Sequence, residues 1–250
     1  MNKVTLRLAH LYPDYLNLYG DRGNVLALKH RAEGRGLSFE TVPVGLGEHF
    51  DPNDFDLFFI GGGQDSAQKV LIEDFLHVKG PQLKEGILQG LPGLAICGGY
   101  QLLGKGYKSS SGEWIEGLGV IDAVTEAGTY RFTGDLFCES PLLREKGLDP
   151  ILIGFENHAG RTRLGPGVQP LGKVIKGMGN NGEDQSEGAV VHHLFATYMH
   201  GSLLPKNPDL TDTLIELAYF RRYHDGEKLP ELDKSWEERA RRERLSKLKG

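Results

Sequence analysis

Apolar and polar positions along the first hundred residues predict strands and helices in turn. Short apolar runs such as 56–60 and 92–96 are typical of strands buried on both faces of a sheet. Strands are predicted at 4–11, 38–44, 56–60 and 92–96, and helices at 25–35, 65–79, 82–88 and 100–105. Strands that alternate with helices imply parallel pairing through right-handed crossovers, and hence an α/β fold with a mostly parallel central sheet.

The second half of the chain is richer in predicted strands and ends in a charged segment. We expect strands at 120–124, 129–138, 151–156, 172–176, 188–191 and 194–199, and a helix over 209–223. The last segment, 225–250, is charged almost throughout, and Trp236 is its only aromatic residue. We therefore predict one domain over 1–224 and a charged tail or helix over 225–250, which is either solvated or docked on a partner.

Composition narrows the class of protein. The chain has 250 residues, a net charge of -5 and 25% charged residues, so no basic excess points to nucleic acid. No apolar run approaches the roughly 20 residues of a transmembrane helix, and the first residues lack the apolar core of a signal peptide. We expect a cytoplasmic protein whose two cysteines, Cys97 and Cys138, stay reduced.

Cys97 is the first candidate for a catalytic nucleophile. It follows a buried strand, and two glycines that permit a sharp turn stand between it and the next helix. Ligands of open α/β sheets bind at this carboxyl edge. The N-terminus of the helix favours a thiolate, and the N–H of Gly98 is a candidate oxyanion donor. The local sequence alone leaves a buried structural cysteine equally open.

A glycine loop and a histidine complete the pattern. Gly61, Gly62 and Gly63 follow the preceding buried strand, so they are expected beside Cys97, with N–H groups facing an oxyanion. A cysteine nucleophile needs a base. His200, which ends the apolar run 194–199, is the first candidate, and His158 is the second.

Together these segments resemble a known family. GGG at 61–63, ICGGYQ at 96–101 and YMHG at 198–201 resemble the class I glutamine amidotransferases, and within them the cobyric acid synthase type. LYPDYLNLYGDRGN at 11–24 and FENH at 155–158 resemble the GatD-type glutaminase subunits of lipid II isoglutaminyl synthase. The resemblance implies a three-layer, flavodoxin-like fold. Most relatives carry a glutamate two residues after the histidine. Ser202 stands there, so we expect a Cys97–His200 dyad.

The resemblance also implies the reaction and the partner. Cys97 would attack L-glutamine, Gly62 and Gly98 would hold the oxyanion, and His200 would move the protons. Ammonia would pass to a MurT-like Mur ligase subunit in a heterodimer, which amidates D-glutamate of the lipid II stem peptide. ATP and Mg are expected on that partner. The resemblance implies no cofactor and no metal in this chain.

Further site residues follow from the same resemblance. Arg131 matches the arginine that binds the glutamine carboxylate, and Gln101 matches a position near the substrate. Asp14, Asp21 and Glu156 are open alternatives for orienting His200 or contacting the partner.

Three other functions stay open. The first is a glutaminase for another synthase, such as a cobyric acid synthase-type enzyme. The second is a scaffold subunit without catalysis, and the third is a thiol sensor with the same cysteine turn between strand and helix. The Cys97–His200 pair argues against a scaffold, and Arg131 argues against a sensor.

Overall fold

The structure, a computed structural model, describes residues 4–18, 20–63, 65–200, 203–224, 228–246 and 248. The strands, numbered in chain order, are β1 Thr5–Leu11, β2 Ser38–Val44, β3 Leu57–Ile60, β4 Gly93–Ile96, β5 Gly106–Lys108, β6 Trp114–Glu116, β7 Ala123–Glu139, β8 Ile151–Leu164, β9 Gly172–Lys176, β10 Ser186–Glu187, β11 Ala189–Val191, β12 Leu194–Thr197 and β13 Met199–His200. The helices are α1 Arg22–Gly34, α2 Asp65–Asp74, which continues as a π-helix over Phe75–Lys79, α3 Gly80–Leu88, α4 Gly98–Leu103, α5 Pro141–Glu145, α6 Leu203–Lys206, α7 Pro208–Tyr223 and α8 Ser235–Ser246. Within the described residues, no helix is both long and apolar enough to cross a membrane.

The central sheet has six strands in the order β11-β12-β4-β3-β1-β2. All neighbouring pairs are parallel except β11 with β12. Every residue of β3, β4 and β12 is buried, as their apolar sequences predict for strands covered on both faces. The predicted α/β fold with a mostly parallel sheet and flanking helices is confirmed.

A second sheet, mostly antiparallel, is built around the long pair β7 and β8. The pattern predicted parts of its strands β7, β8 and β9, but not that they form a sheet of their own. The predicted strand 194–199 is in fact two strands. β12 ends at Thr197 in the central sheet, and β13 pairs with β8 in the second sheet. The chain therefore crosses between the sheets at Tyr198, two residues before His200.

Three further strand predictions differ from the structure. Residues 120–122 are not part of a strand, and the predicted strand 129–138 belongs to the longer β7. The predicted strand 151–156 continues to Leu164. The hairpin strands β5 and β6 were missed because each has only three residues, too few to show an alternation of apolar and polar positions.

Helix α8 of the charged tail is tied to the body of the protein. Most of its side chains face solvent, including Trp236, but Arg241 is buried. The Arg241 guanidinium donates to Asn207 Oδ1 at 2.8 Å and to Asp149 Oδ2 at 2.6 Å. A buried guanidinium is tolerated only with such partners, so this residue anchors the helix. The division at 224/225 stays a prediction, since 225–227 lie outside the described residues.

Candidate active site

Cys97 stands alone between a strand and a helix. β4 ends at Ile96, α4 begins at Gly98, and Cys97 has φ 49° and ψ -101°. A positive φ is strained for a residue with a Cβ, and costs on the order of 1–3 kcal/mol. Its N–H donates to Thr197 O at 2.8 Å, which secures the turn to β12. The strained turn predicted from the two glycines is therefore present, and the cysteine itself adopts the strained conformation.

His200 belongs to the second sheet and lines the same cavity as Cys97. It pairs with Phe155 of β8, and its side chain is fully buried. Its Nδ1 lies 3.4 Å from Oδ1 of Asp21, whose side chain is also fully buried. Asp21 ends the loop between β1 and α1, so a third segment of the chain contributes to the group.

Gly62 lies between the cysteine and the imidazole. A Cβ added to Gly62 would lie 2.7 Å from His200 Cε1 and 3.4 Å from Cys97 Cβ. Real Cβ atoms do not approach other atoms as closely as the first of these distances, so no side chain fits here. The glycine is required for the close approach of the three groups.

The charge state of His200 follows from its neighbours. Burial alone would lower its pKa, but the hydrogen bonds and charges of Asp21 and Cys97 outweigh burial and raise the pKa to about 10. At neutral pH the imidazole is therefore protonated. An imidazolium beside a cysteine sulfur favours the thiolate, which is the nucleophilic form.

A cavity of about 250 Å³ opens in front of these groups. It is lined by residues that lie far apart in the sequence, among them Gly63, Cys97, Gln101, Arg131, Asn157 and His200. Four of the residues singled out from the sequence, namely Cys97, Gln101, Arg131 and His200, thus share one cavity. Its volume suits a ligand of the size of an amino acid.

The glycine loop differs from the expectation in one respect. The N–H of Gly62 donates to Asp21 Oδ2 at 2.7 Å, so in this conformation it is not free for an oxyanion. Gly63 lines the cavity instead. The N–H of Gly98, at the start of α4, stays a predicted donor. The sequence places the loop correctly, but it does not reveal that a carboxylate takes one of its donors.

Arg131 projects from a bulge in β7. Four residues of β7, 128–131, stand opposite the single residue Ala159 of β8. The Arg131 side chain is held by Asn157, through Nε to Oδ1 at 3.0 Å and Nη2 to the main-chain oxygen at 2.9 Å. Both residues line the cavity. Asn157 stands in the FENH segment, but the sequence reasoning did not single it out.

Gln101 is in the cavity wall, but its amide is already engaged. It accepts from Gln68 Nε2 at 3.1 Å and donates to Tyr198 Oη at 3.1 Å. His158 also lines the cavity, and its ring stacks on Tyr198 with centroids 3.7 Å apart. Burial lowers the pKa of His158, which keeps this histidine neutral. These contacts indicate that both residues support the wall.

Asp21 is the carboxylate that the structure brings to His200. Asp14 is exposed, and Glu156 accepts from the N–H groups of Met178 and Gly179 at 2.9 and 3.0 Å. Of the three carboxylates that the sequence left open, Asp21 is therefore the one beside the Cys97–His200 pair, and it comes from the first βα loop. Ser202 lies outside the described residues.

Comparison with known proteins gives a consistent result. The model of the CobB/CobQ-like glutamine amidotransferase domain matches residues 7–208. The chain is 44% identical over 217 residues to the GatD subunit of lipid II isoglutaminyl synthase (glutamine-hydrolyzing) from Staphylococcus aureus, covering 87% of this chain and 86% of that protein. It is 41% identical over 226 residues to the corresponding Streptococcus pneumoniae subunit, covering 90% and 85%.

Two solved structures share the fold. PurLQS from Thermotoga maritima aligns with a TM-score of 0.59 at 18% identity, covering 86% of this chain and 98% of that one. The glutaminase domain of CTPS from Trypanosoma brucei, with bound acivicin, aligns with a TM-score of 0.54 at 11% identity, covering 92% and 98%.

Proposed function

This chain belongs to the CobB/CobQ-like glutamine amidotransferase family, and from that premise we propose that it is the glutaminase subunit of a lipid II isoglutaminyl synthase. The similarity to two GatD subunits over most of both chains supports this assignment among the functions of the family. The alternative of a cobyric acid synthase-type glutaminase has weaker support, because the similarity to such a synthase covers 58% of this chain and 29% of that protein.

One observation supports the chemistry above all others. The strained Cys97 stands at the carboxyl edge of the parallel sheet, beside a buried histidine whose pKa is raised to about 10. A scaffold needs neither the strain nor the buried charge, since both cost free energy. Strain of this kind is characteristic of catalytic turns that expose a nucleophile.

The first half of the reaction forms a thioester. The Cys97 thiolate attacks the side-chain carbonyl carbon of glutamine, and the N–H of Gly98 stabilises the negative oxygen. His200, protonated at neutral pH, gives its proton to the departing nitrogen, which leaves as ammonia. Asp21 holds the imidazole in place and stabilises its positive charge. The product on the enzyme is a γ-glutamyl thioester.

The second half restores the site and uses the ammonia. Neutral His200 takes a proton from water, which attacks the thioester and releases glutamate. The ammonia would pass to a MurT-like ligase subunit, on which ATP, bound with Mg, would transfer its γ-phosphate to the α-carboxyl of D-glutamate to give an acyl phosphate and ADP. Attack by ammonia then gives D-isoglutamine and phosphate. We also propose that this reaction takes place in the cytoplasm, the location expected from the sequence.

The proposal is tested with the chain co-purified with its ligase subunit. With glutamine, ATP, Mg and lipid II, we expect equal amounts of glutamate and of a stem peptide amidated at D-glutamate, measured by chromatography and mass spectrometry. Amidation of a cobyrinic acid acceptor but not of lipid II would assign the chain to the other synthase. No glutamate under either condition would contradict the glutaminase function itself.

A further inference from the structure

Arg131 lines the cavity, and one edge of its guanidinium already donates hydrogen bonds within the protein. The guanidinium offers two pairs of parallel N–H groups, one formed by Nε and Nη2 and the other by Nη1 and Nη2. The first pair donates to Asn157, with Nε at 3.0 Å from Oδ1 and Nη2 at 2.9 Å from the main-chain oxygen. The second pair is therefore the one left for a ligand in the cavity, and it matches the two oxygens of a carboxylate.

The bulge that carries Arg131 is itself clamped by a second arginine. The guanidinium of Arg161 lies 3.4 Å from the ring centroid of Phe132 and donates to Tyr130 O at 2.7 Å and to Ala159 O at 3.0 Å. These contacts join the two sides of the bulge. The main chain around Arg131 is thus fixed, and the remaining freedom is that of the long side chain, which Asn157 restricts.

We propose that Asn157 is a positioning residue, which holds the Nε edge of Arg131 so that the other edge faces the glutamine carboxylate. The inference rests on the proposed function, because it takes glutamine as the ligand. Holding the side chain in the free protein removes the entropy that Arg131 would lose on binding. Asn157 should therefore affect binding of the carboxylate and leave the reactivity of Cys97 unchanged.

The test compares two reagents that alkylate Cys97. A diazoketone analogue of glutamine keeps the α-carboxylate, and iodoacetamide has none. For Asn157→Ala we expect the diazoketone concentration for half-maximal inactivation to rise about tenfold, with the limiting rate within twofold of wild type. The iodoacetamide rate should not change. In an Arg131→Ala background, Asn157→Ala should have no further effect, since its action passes through Arg131.

Thr133→Val is the matched control. Its hydroxyl lies 3.5 Å from the same Asn157 oxygen, but it does not contact Arg131 through any bond in the described residues. We expect wild-type inactivation by both reagents. An unchanged diazoketone concentration in Asn157→Ala would overturn the inference, and so would an equal loss of reactivity toward iodoacetamide, which indicates a general structural defect.

The glutaminase function and the positioning role of Asn157 are contradicted by different results. If glutamine does not protect wild-type Cys97 from the diazoketone, with or without the ligase subunit, the proposed function fails and this inference falls with it. If wild type is protected and Asn157→Ala behaves like wild type, only the positioning role fails.

Discussion

Replacement of Cys97 by alanine is expected to abolish glutamine-dependent amidation by the complex with the ligase subunit, while amidation driven by added ammonium salt continues. The variant lacks the sulfur that forms the thioester, so its rate of glutamate release should fall at least about a thousandfold. The ligase reaction needs only ammonia and therefore does not depend on the thiol. The measurement is amidated product formed per minute with glutamine or with ammonium as the nitrogen source.

Cys138 supplies the matched control. It is the other cysteine of the chain, it is buried, and it is not bonded to Cys97. Cys138→Ala should keep wild-type rates with both nitrogen sources, with any loss confined to thermal stability. Glutamine-dependent activity that survives in Cys97→Ala would refute the thioester route, and a loss of ammonia-dependent activity would show that the variant disturbs the complex rather than the chemistry.

Replacement of Asp21 by asparagine is expected to lower kcat/KM for glutamine about a hundredfold or more. Asparagine keeps the shape but loses the negative charge, which is one of the causes that raise the pKa of His200 to about 10. An amide also turns a donor toward the imidazole and favours the wrong tautomer. The imidazole of the variant should be neutral at pH 7, so it no longer supports a thiolate on Cys97.

The pH at which the His200 imidazole loses its proton reads out this change directly, and NMR spectra of the imidazole measure it. In wild type the imidazole should stay protonated through the neutral range and lose its proton at about pH 10. In Asp21→Asn it should lose its proton at a lower pH, because the carboxylate that raises its pKa is gone. Asp14→Asn, an exposed carboxylate of the same loop, should match wild type. An imidazole of Asp21→Asn that titrates at the same pH as in wild type would contradict the assigned role.

The same linkage predicts how stability changes with pH. The folded-state pKa of His200 lies above its ordinary value, so its charge stabilises the fold fully below pH 6.5. That contribution is lost as the pH rises to about 10. Wild type should therefore lose its stability advantage over Asp21→Asn across this range, as measured by denaturant unfolding.

The position of Cys97 was predictable because it depends on local pattern. An apolar run of strand length followed by two glycines predicts a strand, a sharp turn and a helix, and the structure has all three. The location of the turn at the carboxyl edge follows from the parallel pairing. The 61–63 loop lies next to this turn because it follows β3, the parallel neighbour of β4.

The surroundings of His200 were less predictable because they depend on contacts between distant segments. The apolar run 194–199 reads as one strand, yet it passes from one sheet to the other at Tyr198. Asp21 was one of three carboxylates that the sequence left open. Its place after β1, at the same sheet edge as Cys97, is the signal that would have favoured it over Glu156 of the second sheet.

Asn157 was not predicted as a site residue for a different reason. Its role depends on a bulge in which four residues of β7 face one of β8, and no periodicity in either strand predicts that irregularity. The hydrogen bonds that Arg131 donates to Asn157 form directly beside this bulge.

The most direct test of the central claim is covalent labelling of the chain with the diazoketone analogue of glutamine, followed by peptide mass spectrometry. We expect the label on Cys97, not on Cys138, and we expect excess glutamine to suppress it. If the chain stays unlabelled both alone and together with its co-purified ligase subunit, or if glutamine does not protect Cys97, the assignment of this site as a glutaminase is contradicted.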